Sequence, residues 1–484
     1  MPPAVLAQAA PAPGTAPART PDSDRDPRPD PGADAFAIKG LFAAALRDQQ
    51  GVEWLRQLSE DVGARPAGSP GYAAAVDWAE GILRGLGLRT RRQPVRVRPW
   101  SRGEDDVVDL TAYLPAGRRA LRATALGNSP GTGERGLRAP VVELTSIEQA
   151  DSLGDALAGK IAFYNRAFDP AQVNTFAGYG GAVDQRVYGP ARAARQGAVA
   201  AVVRSMTPRL DRLPHTGTTV FPDDAQTDGD DGSGDGGDSA IPAVAISTLD
   251  AEALAAAVRE APADRPVELF LRFDAGRLPP ATDHNLIADW TGTERPGEYL
   301  LIGAHLDSWD LGQGAHDDGA GVAHVLEAVN LLRASGYRPR RTVRVVLFAN
   351  EENGLDGGRA YWALTDSLGL EHAFAIESDS GGFVPRAFTV APAPGREGEA
   401  AEIARAFAPL LEPYGVTFAQ GGGGADIRGL RERGATLFGL RTDGQRYFDL
   451  HHTARDTFSE VHPRELELGA AALASLVRLL DAQP

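Results

Sequence analysis

The run Gly303-Ala-His305-Leu-Asp307-Ser-Trp-Asp-Leu-Gly-Gln-Gly-Ala-His316-Asp317-Asp318-Gly319 crowds imidazoles and carboxylates into one glycine-rich loop. The apolar residues 299–302 before it read as a buried strand, and 322–332 after it carry the apolar spacing of a helix. In an open α/β sheet such a loop leaves the carboxyl end of a strand, which is where ligands bind.

The same strand, loop and helix rhythm continues outward. Strands are expected at 285–290, 299–304, 342–349, 373–377 and 435–440, with helices at 355–364, 399–411 and 463–480. This alternation predicts an α/β fold, a mostly parallel mixed sheet covered by helices. Upstream, 35–46, 51–61 and 73–86 read as helices, and 90–98 and 107–114 as strands. From about residue 123 the texture changes to short buried strands at 141–145, 160–164, 198–203 and 241–246, with helices at 192–196 and 250–258. Residues 123–275 are therefore expected to form an inserted β-rich domain, and 35–122 with 276–484 the catalytic one. Residues 1–34, rich in Pro, Ala, Asp and Arg, cannot build a core. The Asp223–Asp238 run of Asp, Gly and Ser reads as a solvated loop. Calcium-loop spacing fails there because position 232 is Gly.

Composition removes several functions. A net charge of −16 leaves no basic face for nucleic acid. No apolar run reaches the ~20 residues that span a bilayer, so no membrane partner is expected. The chain has no cysteine, which excludes disulfides and thiolate metal sites. The opening Ala-Val-Leu-Ala-Gln-Ala resembles the small-residue tail of a signal peptide and raises the expectation of export, into the periplasm or outside the cell.

The candidate ligands all follow expected strands. His305, Asp307 and Asp317 follow 299–304, Glu351 and Glu352 follow 342–349, Asp379 follows 373–377, and His452 lies beyond 435–440. Parallel strand ends converge on one edge. Histidines with carboxylates and no thiol suit zinc or a similar divalent ion. Five ligands exceed what one tetrahedral zinc takes, so two ions sharing a carboxylate fit better, a pair ~3.5–4 Å apart that serves hydrolysis. Of adjacent Glu351 and Glu352, one can ligate while the other acts as general base. Asp307 is placed to take the free N–H of His305. His451 competes with His452 for the ligand role. Singly, such residues are usually satisfied polar groups, and His316, His324, His372 and His462 are read that way.

The motifs His305-x-Asp307, Asp317-Asp318-Gly319, Glu351-Glu352, Glu377-Ser-Asp379 and His451-His452-Thr-x-x-Asp456-Thr457 resemble those of the co-catalytic zinc peptidases of family M28. Gly63-Ala-Arg-Pro-Ala-Gly-Ser69, Lys160 to Asn165, Arg192 to Ser205, Pro214-His-Thr-Gly217 and Tyr447-Phe448 extend the likeness over roughly residues 36–484. The resemblance implies the zinc exopeptidase fold and an inserted protease-associated domain. It implies two zinc ions per chain, His305 and Asp379 on one, Glu352 and His452 on the other, and Asp317 bridging. Glu351 would be the base and Asp307 the orienter. Asp426, after the Gly421–Gly424 loop, and Tyr447 would face substrate. His316 stands where an apolar residue is expected, and its side chain is expected in solvent. The activity implied is hydrolysis of short peptides or dipeptides at a free N-terminus, by a homodimer. Two other readings share the fold: a non-catalytic ectodomain of the transferrin-receptor kind, which loses ligands this chain keeps, and a single-zinc glutaminyl cyclase, which lacks the inserted domain.

Overall fold

The strand Arg295–His305 leading into the histidine loop is buried over its last six residues. Its neighbours on either side, Arg341–Phe348 and Glu371–Ser378, run parallel to it, and Thr436–Thr442 continues the parallel set. Strands covered on both faces carry continuous rather than alternating apolar sequence. Arg341–Phe348 is buried at every position. The computed structural model describes residues 31–103, 108–114, 117–221 and 240–483.

An antiparallel pairing bounds the parallel set on each side of this eight-stranded sheet. Ala281–Trp290 and Arg89–Val97 lie on one side. Pro385–Ala391 and Thr417–Gln420 lie on the other. One face is covered by Ala320–Ala334, Pro463–Asp481 and Pro31–Asp48. On the other face Tyr361 of the helix Asp356–Leu368 packs with Ile287, Leu301, Val346 and Phe348. The α/β class expected from the sequence is what is found. Among the described residues no helix is long and apolar enough to cross a membrane.

A second eight-stranded sheet runs Gly117–Ala120, Asp109–Leu114, Glu268–Arg272, Leu137–Leu144, Ile161–Tyr164, Ala200–Arg204, Ala243–Ile246, Ala123–Ala125. It therefore begins before residue 123, the expected start of the inserted unit. Leu110 and Ala112 of Asp109–Leu114 pair with Leu271 and Leu269, and alternation buries them there. That alternation is visible in the sequence, but the identity of the partner strand is not. The chain enters and leaves this layer through a ladder of Trp100–Ser101 with Gly276–Arg277. The acidic run 223–238 and residues 1–30 of the expected N-terminal tail lie outside the described residues.

Candidate metal centre

The histidine loop is held from beneath by Arg65, which is wholly buried. Its Nε donates to the Leu306 carbonyl at 2.8 Å, Nη1 to Gln313 at 2.7 Å and Gly63 at 2.9 Å, and Nη2 to Gly314 at 3.0 Å. A planar guanidinium fork ties both ends of the loop at once, which a single ammonium cannot do. Trp309, on the same loop, leans on the second layer, edge-on to Trp100 at 6.2 Å. A side chain at Gly127 would collide with it.

These supports bring the expected residues together. His305 Nε2 lies 3.3 Å from Asp317 Oδ1 and 3.8 Å from Asp379 Oδ1. His452 Nε2 lies 3.0 Å from Glu352 Oε2 and 3.2 Å from Asp317 Oδ2. Asp317 thus stands between the two imidazoles. Its own backbone is fixed by Asp456, whose carboxylate accepts the N–H of His316 at 2.6 Å and of Asp317 at 3.1 Å. Asp317 Oδ2 and Glu352 Oε1 are buried and accept no hydrogen bond. Buried polar atoms normally find a partner. Carboxylate and imidazole atoms converging within 4.8 Å of one another, with unpartnered oxygens among them, fit a divalent cation.

Asp307 is used differently from the expectation. The near acceptor for His305 Nδ1 is the Asp307 backbone carbonyl at 3.1 Å, with the carboxylate at 3.6 Å. A carbonyl only accepts, so Nδ1 carries the proton and Nε2 faces Asp317 and Asp379. The Asp307 carboxylate instead accepts the N–H groups of Glu351 at 3.0 Å and Glu352 at 3.2 Å, fixing the turn that presents both glutamates.

The electrostatics follow from packing acids beside imidazoles. Burial opposes charge on His305 and His452, but neighbouring carboxylates outweigh it. They raise His305 well above its ordinary value and His452 to about 10. Burial acts against the Asp317 charge too, yet the two imidazoles hold that carboxyl well below the usual range. Burial pushes Glu352 up to about 7 and Glu351 well above the carboxylate range.

Two more residues join the centre: His451, which the sequence sets in competition with His452, and Asp318, to which it assigns no role. His451 stacks on His452 at 3.5 Å between ring centres, with Nε2 3.6 Å from Asp317 Oδ2. Its place beside the second histidine was the only signal. Asp318 meets His305 and Asp379 in space, but its carboxylate already accepts the N–H of His305 at 3.2 Å and of Gly321 at 3.0 Å. Other residues lie elsewhere than expected. His316 is buried, not solvated: it stacks on Phe383 at 4.4 Å, and its Nδ1 accepts the Gly382 N–H at 3.1 Å. Burial lowers it to about 4, so it is neutral. Asp426 is fully buried behind Glu377, which accepts the Ile427 N–H at 3.1 Å. Gly424 lies directly on the Glu377 carboxylate. Tyr447 is part of an aromatic wall with Phe176, Phe448 and His451.

Beside Asp307 and Glu352 opens a narrow cleft walled by Pro66, Ala67, Trp100, Trp309 and Asn353.

Known proteins are similar to the chain over most of its length. Residues 285–477 match Peptidase family M28. Carboxypeptidase Q of Homo sapiens is 31% identical over 91% of this chain and 87% of its own length, and that of Bos taurus 30% over the same shares. The crystal structure of a Peptidase M28 precursor from Shewanella amazonensis SB2B superposes with a TM-score of 0.84 at 33% identity, covering 93% of this chain and 97% of its own. The zinc aminopeptidase BSAP from Bacillus subtilis shares the fold, with a TM-score of 0.58 at 19% identity over 88% of this chain and 93% of its own. The chain belongs to peptidase family M28 and is a hydrolase of peptide bonds.

Proposed function

We propose that the chain is an exopeptidase that holds two zinc ions, or divalent ions of like chemistry, and cleaves dipeptides and short peptides beside a free N-terminus. The observation that carries this reading is Asp317, set between His305 and His452 with an oxygen left unpartnered. His305 and Asp379 would hold one cation, Glu352 and His452 the other, with Asp317 shared. When bound, the pair supplies Lewis acidity and makes water a nucleophile near neutral pH.

The protein's own groups do the rest. Glu351, raised by burial and by the Asp379, Glu352 and Asp307 carboxylates against the pull of His305, takes the proton of the attacking water. It then returns that proton to the departing amine. The Asp307 carboxylate keeps Glu351 in place through its backbone N–H. The narrow cleft between Glu352 and the second layer is where a short substrate would approach the cations. Carboxypeptidase Q and zinc aminopeptidases among the similar proteins support the substrate class. Export and pairing into a homodimer belong to the same reading, tested by cell fractionation and light scattering.

Glu351→Gln is the test. The variant is expected to keep its zinc and lose ~10²–10⁴-fold in dipeptide turnover. Full activity in that variant removes Glu351 from the base role. Chelation is expected to abolish turnover and added zinc to restore it; chelator-resistant cleavage defeats the metal reading.

A further inference from the structure

Residues 215–219, which overlap the Pro214-His-Thr-Gly217 motif and run two residues past it, form a strap that belongs to the second layer and touches the metal centre. Their anchorage is on the second layer. The His215 N–H donates to Ser205 Oγ at 2.9 Å, and Thr216 Oγ1 donates to the Ala125 carbonyl at 2.8 Å. The Gly127 N–H donates to the Gly217 carbonyl at 2.9 Å, and the Gly127 carbonyl accepts the Thr219 N–H at 3.0 Å.

From this anchorage the strap reaches one candidate ligand, His452, directly, and Asn353, the chain neighbour of Glu352. Thr216 N–H donates to the His452 carbonyl at 3.0 Å. His452 Nδ1 in turn meets the Thr216 carbonyl at 3.2 Å. That carbonyl fixes the proton on Nδ1 and leaves Nε2 for a cation. The ring exchange holds a non-glycine residue at φ +62°, a conformation that persists only when its surroundings enforce it. Thr218 Oγ1 donates to Asn353 Oδ1 at 2.9 Å, next to Glu352. Arg186 Nη1 donates to the same Thr216 carbonyl at 3.4 Å, packed so closely that a side chain on Gly217, at φ +136°, would overlap the guanidinium.

The other position is built differently. His305 donates its hydrogen bonds to the Asp307 carbonyl and the Asp318 carboxylate, both in its own layer. The strap therefore braces Glu352 and His452 and leaves His305 and Asp379 untouched.

We propose that the strap is a positioning element for one of the two cation positions, so that the inserted layer sets occupancy of the Glu352/His452 position alone. This rests on the two-cation reading given above. Groups that orient metal ligands typically change metal affinity ~10–100-fold when removed.

The experiment is zinc titration of the metal-free full chain against a chromophoric chelator, which reads binding without turnover. Wild type is expected to show two steps. Thr218→Val, which removes one hydroxyl, and Gly217→Ala, which pushes the strap off Arg186, are each expected to weaken one step ~10–100-fold and leave the other at its wild-type value. His452→Ala, lacking the braced ligand, is expected to lose the same step, and Asp379→Ala the other. Two unchanged steps in both strap variants, or equal weakening of both, overturns the proposal. A single step in wild type overturns the two-cation reading itself, and this inference with it.

Discussion

Arg65→Lys tests whether the histidine loop is pre-set by the fold. Arg65 gives four hydrogen bonds to the carbonyls of Gly63, Leu306, Gln313 and Gly314 from a side chain with no exposed surface. A lysine ammonium retains the charge but, as a single point, reaches at most about half of these acceptors. Hydrogen bonds from a charged donor contribute ~1.5–3 kcal/mol each, so losing two costs ~3–6 kcal/mol before relaxation, and ~3 kcal/mol is the expected net. Arg65→Met should cost more, because the carboxylates of Asp456, Asp307, Asp318 and Glu352 then lose their buried counter-charge. The assay is urea unfolding of the metal-free protein followed by tryptophan fluorescence, with Trp309 on the affected loop. Zinc affinity should fall in parallel. A lysine variant within ~0.5 kcal/mol of wild type, with an unchanged zinc isotherm, refutes the staple.

Two further outcomes follow from buried carboxylates. Asp456→Asn leaves one oxygen for the two N–H donors of His316 and Asp317, so a loss of ~1–3 kcal/mol and of ~10-fold in zinc affinity is expected; an unchanged isotherm counts against it. Glu327 and Glu467 meet where Ala320–Ala334 packs on Pro463–Asp481, each with one unpartnered oxygen, and burial raises them to about 8 and about 7. The folded state holds these protons above the unfolded value of 4.5, so their stabilisation is complete below that pH and is lost as pH rises to about 8. Glu327→Gln should therefore stabilise the protein by ~1–3 kcal/mol at pH 8.5 and leave it unchanged near pH 4.5; an equal effect at both pH values would falsify this account.

How much of this was legible in the sequence depends on whether the signal is local. The run from Gly303 to Gly319 carries its strand, its loop and its helix start within one stretch, and all three appear at Arg295–His305 and Ala320–Ala334. Ligands on distant strands were legible because parallel strand ends converge whatever their order. Thr417–Gln420 was not legible, since an edge strand that is mostly exposed has no apolar alternation to read. The two short helices Thr175–Gly180 and Asp184–Val187 hold too few turns to display a 3.6-residue period. Hydrogen bonding gave the least warning. Nothing in the local sequence says that Asp307 serves the backbone of Glu351 and Glu352, or that Asp426 is sealed beneath the site.

The centre is short of positive charge, and that deficit argues for cations more strongly than any one distance. Asp317, Asp318, Glu351, Glu352, Asp379 and Asp456 crowd the imidazoles of His305 and His452, that of His451, which burial disfavours in its charged form, and one guanidinium, that of Arg65. Burying that many carboxylates without compensation costs several kcal/mol each. Protons offset part of it, which is why His452 is held up to about 10 and Glu352 and Asp456 up to about 7. Divalent ions compete for those same oxygens and nitrogens and release the protons on binding. An evolved core that needed only stability would have replaced such a cluster with apolar side chains of similar volume. Keeping it, with Asp456, Arg65 and the strap spent on orienting it, makes sense for a site whose purpose is to hold metal.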